Sequence, residues 1–269
     1  MTPSATHVFR TLAGEAVGDA VRRRIVPAIA VVSLLSLLLV DSCTSCATPT
    51  LVRNGVPVEV PEIGGWTGMV IFAVLALWAM VLAGVLGSDH LAETLSDGSA
   101  SLVLARPVGR GTFALARLAG VLAIAFATGA VLLGGTTALL HARHGVALAG
   151  AVWAGLAFAL GAVVVASLAM TASLFLPRIA TVLVVLIGVG AIAGINAIGL
   201  SGVELRGVFW GIDRFGPPLA SSVVAALSPW VAPAPVSADP LELAVRIAAW
   251  AVAGVCLLAV VFRRCDIPG

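Results

Sequence analysis

Long uncharged apolar blocks alternate along the chain with short charged segments. A helix needs about 20 apolar residues to cross a hydrocarbon core of about 30 Å, and six blocks reach or approach that length. They cover residues 25–40, 63–86, 118–140, 145–170, 179–200 and 247–262. After the fourth block, we expect a turn through the sequence TASLFLPR at one membrane face. The pattern predicts an all-α membrane protein, a single transmembrane domain over residues 1–269 with six transmembrane helices.

The first 24 residues show a helical period with one apolar and one charged face. The apolar face holds Val8, Phe9, Leu12, Ala16 and Ala20, and the other side holds Arg10, Glu15, Asp19 and Arg22. This pattern is typical of a helix that lies in the membrane interface, anchored by the three arginines at 22–24. A soluble cap helix is the alternative.

We expect no cleavage of a signal peptide near the N-terminus. A secretory signal peptide begins with a short basic region, and a lipoprotein signal needs a small residue where the sequence VDSC has Asp41.

Composition supports a membrane protein and excludes several functions. Hydrophobic residues make up 60% of the chain and charged residues 10%, against about 25% charged in soluble domains. The sequence contains no lysine, so a phosphate-binding P-loop is excluded, and ATP would have to be bound by another chain. The 15 arginines are scattered at the ends of apolar blocks, which argues against nucleic acid. We expect no enzyme active site, cofactor or metal in this chain.

The arginines predict the orientation in the membrane. With the N-terminus in the cytoplasm, ten arginines lie inside and five outside, as the positive-inside rule requires. Those inside are Arg10, Arg22, Arg23, Arg24, Arg106, Arg110, Arg117, Arg178, Arg263 and Arg264, and those outside are Arg53, Arg143, Arg206, Arg214 and Arg246. Both termini are therefore expected in the cytoplasm. The longest outer segment, residues 201–244, is expected to be partly helical and to lie near the head groups.

Two cysteines follow the first predicted span in the sequence CTSC. Cys43 and Cys46 would face an oxidising compartment. They are a possible disulfide, a redox-active or metal-binding pair, or two thiols without a role. Ala47 stands where haem attachment needs histidine. The other cysteines, Cys256 and Cys265, lie in the last span and on the inner side, so no second outer pair exists.

The predicted inner loop, residues 87–113, carries the most informative segment of the chain. Glu93, Asp97, Arg106 and Arg110 keep it out of the bilayer core. Pro107 disfavours helical geometry at the preceding residue, so a short helix should end there. We interpret this as a docking element whose charged surface meets a soluble partner. The alternative is that both arginines anchor the loop at the membrane face.

This segment resembles the inner loop of ABC-2 type transporter permeases. Gly98 and Ser99 stand for that family's Gly-Thr pair, Leu102 and Leu104 match apolar positions, and ARPVGR matches the end of the motif. Ser99 replaces threonine, and Glu93 lies further from Gly98 than the usual acidic residue. The resemblance extends to the interfacial helix, the six spans and the long outer segment. The most similar subgroup includes permeases of copper-enzyme maturation and gliding-motility systems.

The resemblance implies a multi-pass permease, an exporter, in a bacterial cytoplasmic membrane. Such permeases pair with a second copy or a sister subunit, and ATP-binding subunits that hold ATP-Mg dock on the inner face. Glu93, Asp97, Gly98, Arg106, Pro107 and Arg110 would then form the coupling element. Two other functions remain open at this point. One is a membrane thiol-disulfide oxidoreductase that uses Cys43 and Cys46, and the other is a scaffold without transport.

Overall fold

The computed structural model describes residues 5–22, 25–44, 51–53, 56–58, 61–96, 109–231 and 239–264. These residues form α-helices joined by turns, together with one small hairpin. The helices are α1 (Ala5–Arg22), α2 (Ile25–Thr44), α3 (Pro61–Ser96), α4 (Arg110–His144), α5 (Leu148–Ala172), α6 (Arg178–Leu200), α7 (Val208–Phe215), α8 (Leu219–Ala226) and α9 (Pro240–Arg264). A 3₁₀ turn, Ser228–Trp230, follows α8. The antiparallel hairpin pairs β1 (Leu51–Arg53) with β2 (Val56–Val58).

Five of the described helices are long and apolar enough to cross a membrane. They are Gly65–Asp89 within α3, then Arg110–His144, Leu148–Ala172, Arg178–Leu200 and Pro240–Arg264. Each corresponds to one of the predicted blocks, so an all-α, multi-pass membrane protein is confirmed. The apolar stretch of α2 is shorter than these five and covers Val31–Ser42. The turn after α5 also lies where it was predicted, because Pro177 directly precedes α6.

The long helices alternate in direction, so the bundle has two ends. One end, called the Arg110 end here, carries the start of α4 and α6 and the end of α3, α5 and α9. The opposite end, called the His144 end, carries the α4–α5 turn and the short helices α7 and α8. At that turn Gly145 adopts a left-handed φ of 64° and closes α4. Near the middle of the bundle, α5 packs against α3, α4, α8 and α9.

Small residues bring the central helices close together. A Cβ at Gly161 of α5 would lie 2.6 Å from Cε of Met80 of α3, so a larger residue would require the flexible Met80 side chain to move. Buried hydroxyls are mostly satisfied within their own helix, as in Thr137, which donates to the Leu133 carbonyl at 2.7 Å. This hydroxyl therefore finds its acceptor one turn earlier in its own helix.

The burial pattern of helix α1 confirms its predicted apolar and charged faces. The apolar face packs against another helix of the chain. Leu12 and Ala16 are buried, and Arg10, Glu15 and Arg22 are exposed. The buried face lies against α4, where a Cβ at Gly120 would come within 2.5 Å of the Ala16 Cβ. A stripe of small residues therefore lets α1 approach α4 closely, and the apolar face is covered by α4 over this contact.

Helix α2 runs along α4 toward the His144 end. A Cβ at Gly135 would lie 3.0 Å from both methyl carbons of Leu37. Near the end of α2, Arg143 of α4 binds the Asp41 carboxylate and donates to its backbone carbonyl at 2.9 Å. Because α1 contacts α4 near Gly120, the chain from α1 to Asp41 follows α4 over much of its length.

The helices extend further than the apolar blocks. Both ends of the predicted inner loop, 87–113, are helical, because α3 continues to Ser96 and α4 begins at Arg110. Charged residues end an apolar span without ending a helix, and this chain has no proline between 87 and 96. The outer segment 201–244 is partly helical, as predicted, through α7 and α8, and α9 already begins at Pro240.

Candidate coupling surface

The Arg110 end gathers the first turns of α4 and the ends of its neighbours. Gly109 precedes α4 in an extended conformation, with φ −63° and ψ 133°. Its carbonyl accepts the first helical hydrogen bond, from the Phe113 amide at 3.1 Å. Arg110 is the first helical residue, and its side chain is exposed. The beginning of α4 is therefore regular, and it starts directly after the predicted coupling segment.

Aromatic packing joins the start of α4 to the end of α9. The rings of Phe113 and Phe262 stack with their centroids 6.0 Å apart, and both side chains are fully buried. Two residues earlier, a Cβ at Gly111 would lie 3.0 Å from Nε of Arg263. The missing side chain at Gly111 thus leaves room for this guanidinium beside α4. Stacked rings with this burial hold two helices in a defined register.

A buried arginine joins the same part of α4 to α1. The Arg117 side chain is 6% exposed and donates to the Asp19 carboxylate at 3.4 Å. Its guanidinium carbon also lies 5.5 Å from the centre of the Phe113 ring. A buried guanidinium has lost its water, so its stability depends on such partners. Arg117 therefore connects α4 to α1 through Asp19. It also lies beside Phe113, whose ring stacks on Phe262 of α9.

A second ion pair joins α3 to α6 at the same end of the bundle. Arg178, the first residue of α6, donates from Nη2 to Oδ2 of Asp89 at 2.7 Å, and its Nε lies 2.7 Å from Oδ1. Oδ1 has no hydrogen-bond partner among the described residues, so one charge-assisted hydrogen bond and the ion-pair attraction hold this contact together. Beyond this point α3 continues for two further turns, to Ser96.

The structure locates some of the predicted site residues. Glu93 lies in the last turns of α3, and Arg110 begins α4. Asp97, Gly98, Arg106 and Pro107 lie outside the described residues, as does Cys46. Cys43 lies at the end of α2. The predicted coupling element and the predicted short helix within it therefore stay predictions.

The described part of the chain also bears on metal and thiol chemistry. Over the residues described, no group of three or more His, Cys, Asp or Glu side chains could hold a metal ion. Cys256 has an exposed, free thiol on α9. His141 lies in the last turn of α4, and one of its ring nitrogens contacts the Val146 carbonyl at 2.9 Å, so this histidine takes part in the α4–α5 turn.

Two helices that meet at the Arg110 end are longer than a membrane is thick. Helices α3 and α4 have 36 and 35 residues, or about 54 and 52 Å at 1.5 Å per residue. Both are longer than a hydrocarbon core of about 30 Å. They flank residues 97–109, and each is tied to other helices close to that segment. These contacts connect α3 to α6, and they connect α4 to α1 and α9.

Sequence reasoning missed the partners that make this surface. The sequence showed Arg117 at the end of an apolar block and Asp19 on the polar face of the first helix. The two residues are 98 positions apart, so no local pattern connects them. A charged residue in an otherwise apolar helix needs a partner, so Arg117 itself was the sign that such a contact exists. The sequence matches no protein-family model, and a search of curated proteins finds no match for it.

Proposed function

We propose that this chain is the membrane-spanning permease subunit of an ABC transporter of the ABC-2 type. It works as an exporter in a bacterial cytoplasmic membrane, with both termini in the cytoplasm. ATP is hydrolysed by a separate subunit that docks on the Arg110 end. The observation that carries this proposal is the continuity of α3 and α4 on either side of residues 97–109, at the end where ion pairs and stacked rings tie the helices together.

In this proposal α2 is the sixth transmembrane helix. Its support is the geometry along α4, where Asp19 contacts Arg117 and Asp41 contacts Arg143. These two arginines are 26 residues apart, or about 39 Å along the helix. The chain between the two aspartates therefore covers more than the thickness of a hydrocarbon core, about 30 Å. Helix α1 then lies at the cytoplasmic face and α2 crosses the bilayer.

The proposed mechanism follows from the contacts at the Arg110 end. ATP binding draws two ATP-binding subunits together, one under each permease copy, and displaces residues 97–109. The displacement enters the bundle through α3 and α4. The Arg178–Asp89 pair passes it to α6, and Phe113 and Arg117 pass it to α9 and α1. Arg106 and Arg110 contact the ATP-binding subunit or lipid phosphates, and Pro107 sets the angle at which the chain returns to the membrane.

The test is the association of this chain with an ATP-binding subunit. The tagged chain is purified from its native membrane in a mild detergent, and co-purifying proteins are identified by mass spectrometry. A variant with Arg106→Glu and Arg110→Glu is compared with a matched control, Arg53→Glu with Arg206→Glu, whose charges lie on the predicted outer side. Both variants carry the same change in net charge.

The proposal expects an ATP-binding subunit with the wild-type chain and with the control. It expects about a tenfold loss with the Arg106/Arg110 variant, because reversed charges repel a complementary partner surface. If no ATP-binding subunit accompanies the wild-type chain in several detergents, the proposal is wrong. Equal recovery with both variants would show that these arginines do not form the docking surface.

A further inference from the structure

A polar cavity lies at the His144 end, far from the Arg110 end. Its volume is about 210 Å³, which leaves room for a ligand of several heavy atoms. The walls come from α6, α7, α8 and α9, whose chain segments are distant in sequence. The lining includes Asn196, Asp213, Arg214, Glu242 and Arg246. Such a concentration of polar side chains is unusual in a chain that is 60% hydrophobic.

Asn196 is the most buried polar group of this cavity. It is 1% exposed, and its Nδ2 donates to the Asp213 carboxylate at 3.3 Å. A carboxylate can only accept, so this contact assigns Nδ2 as the donor to Asp213 and leaves Oδ1 as the acceptor that still needs a donor. Within the described parts of the chain, Oδ1 has no hydrogen-bond donor. A buried acceptor without a donor is unfavourable, so the site lacks a group that donates hydrogen bonds.

Three carboxylates and two arginines line the cavity, so one negative charge is left over. Arg246 donates to the backbone carbonyls of Asp213 and Gly216, and Arg214 pairs with Glu242 at 2.8 Å. Asp239 accepts from the Leu241 amide at 2.9 Å, at the start of α9. Among the ion pairs found between described residues, none includes the Asp213 carboxylate.

The end of α6 adds negative potential at the same place. A Cβ at Gly199 would lie 2.9 Å from Oδ2 of Asp213, so the carboxylate lies directly against the last turns of α6. The C-terminal end of a helix carries partial negative charge, which favours a cation and disfavours a carboxylate. Asp213 therefore lies in a negative local potential that a further positive group in the cavity would balance.

We propose that this cavity binds a primary ammonium group. Its N–H groups would donate to the Asp213 carboxylate and to Oδ1 of Asn196, and its charge would balance Asp213 and the end of α6. A metal ion fits less well, because the described residues hold no cluster of three metal-ligating side chains. This site is independent of ATP coupling at the opposite end of the bundle.

The ammonium group could belong to a free amine or to a lipid head group. Helix α7, which contributes Asp213, has no buried residue and exposes Phe209, Trp210 and Phe215. Exposed aromatic side chains of this kind favour the level of the head groups. Phosphatidylethanolamine is therefore a candidate source beside soluble amines, and both present the same –NH₃⁺ group.

The test uses the purified full-length chain in detergent and follows thermal unfolding by tryptophan fluorescence. Ethanolamine hydrochloride is titrated against tetramethylammonium chloride at equal ionic strength, because tetramethylammonium has the charge without any N–H donor. Asp213→Asn keeps the size and an acceptor for Asn196 while it removes the charge. Glu204→Gln is the matched control, because Glu204 is exposed and outside the cavity.

The proposal expects a saturable rise in Tm with ethanolamine, none with tetramethylammonium, and an apparent affinity at least about tenfold weaker in Asp213→Asn. Glu204→Gln should respond like the wild type. Equal responses to the two cations, an unchanged response in Asp213→Asn, or no response in the wild type would each overturn it. In lipid nanodiscs, a rise in Tm with phosphatidylethanolamine over phosphatidylcholine that Asp213→Asn abolishes would identify the lipid as the source. A response to the free amine alone would identify a soluble one.

Discussion

Arg117 and Asp19, 98 residues apart, form an ion pair of 3.4 Å that joins α4 to α1 beside the stacked rings of Phe113 and Phe262. Arg117 is almost fully buried, whereas Asp19 is partly exposed. Removal of the carboxylate alone would leave a buried positive charge with a weaker set of partners. The pair thus makes the attachment of α1 sensitive to a single charge.

This pair predicts coupled effects on stability. Asp19→Ala should lower Tm, and Arg117→Met should then cost less in the Asp19→Ala background than in the wild type. We expect a coupling of about 0.5–1.5 kcal/mol, reduced by the partial exposure of Asp19. A double-mutant cycle measured by thermal unfolding checks this value. Additive effects of the two substitutions would show that the pair does not hold α1.

The close approach of α1 and α4 predicts a strict requirement for glycine at position 120. A Cβ there would lie 2.5 Å from the Ala16 Cβ and 3.0 Å from the Ala13 carbonyl oxygen. Gly120→Ala should therefore destabilise the chain by about 1–3 kcal/mol, because the helices must separate. Gly134→Ala is the control, since no atom lies within 4 Å of a Cβ at that position. A lower Tm for Gly120→Ala alone is the expected result, and similar values for both variants would contradict it.

The proposed topology predicts that two native cysteines lie on opposite sides of the membrane. Variants that retain either Cys43 or Cys265 as the single cysteine are treated in intact cells with a membrane-impermeant maleimide. Cys43, at the end of α2, should react from outside, and Cys265, just after α9, should react after permeabilisation. Reaction of Cys43 only after permeabilisation would remove α2 as a transmembrane helix.

The permease proposal also predicts that the thiols of Cys43 and Cys46 are dispensable. Cys43→Ser with Cys46→Ser should leave ATP hydrolysis by the purified complex and its subunit composition unchanged. A thiol-disulfide oxidoreductase would lose its activity in the same variant. The rate of ATP hydrolysis, with wild-type complex prepared in parallel, is the measurement. A clear fall in ATP hydrolysis, or loss of the ATP-binding subunit from the variant complex, would contradict the prediction.

The fold was largely predictable because hydrophobic period and block length determine which segments can enter a membrane. The five long apolar helices, the faces of α1 and the helical content of the outer segment all follow from these patterns. The ends of α3 and α4 were not predictable in this way. Hydropathy reports where a helix leaves the bilayer, and the helix itself continues through Asp89 and Glu93 to Ser96.

The candidate sites were less predictable, since they depend on contacts between distant segments. Asn196 lies in the apolar helix α6, and its amide links that helix to Asp213 of α7. The sequence left the bounds of α7 open, and Arg246 was identified only as one of the outer arginines. Local patterns carry no information about such pairings, which arise when α6, α7 and α9 pack together.

The most direct test of the permease proposal is a photo-crosslink from residues 97–109. A photoreactive amino acid is introduced in place of Val108, next to Arg106, Pro107 and Arg110, and in a control in place of Val203, which is exposed at the opposite end. After irradiation of native membranes, we expect an adduct with an ATP-binding subunit from position 108 and none from position 203. Adducts from position 108 with lipid alone, in membranes that contain the ATP-binding subunits, would contradict the proposed coupling surface.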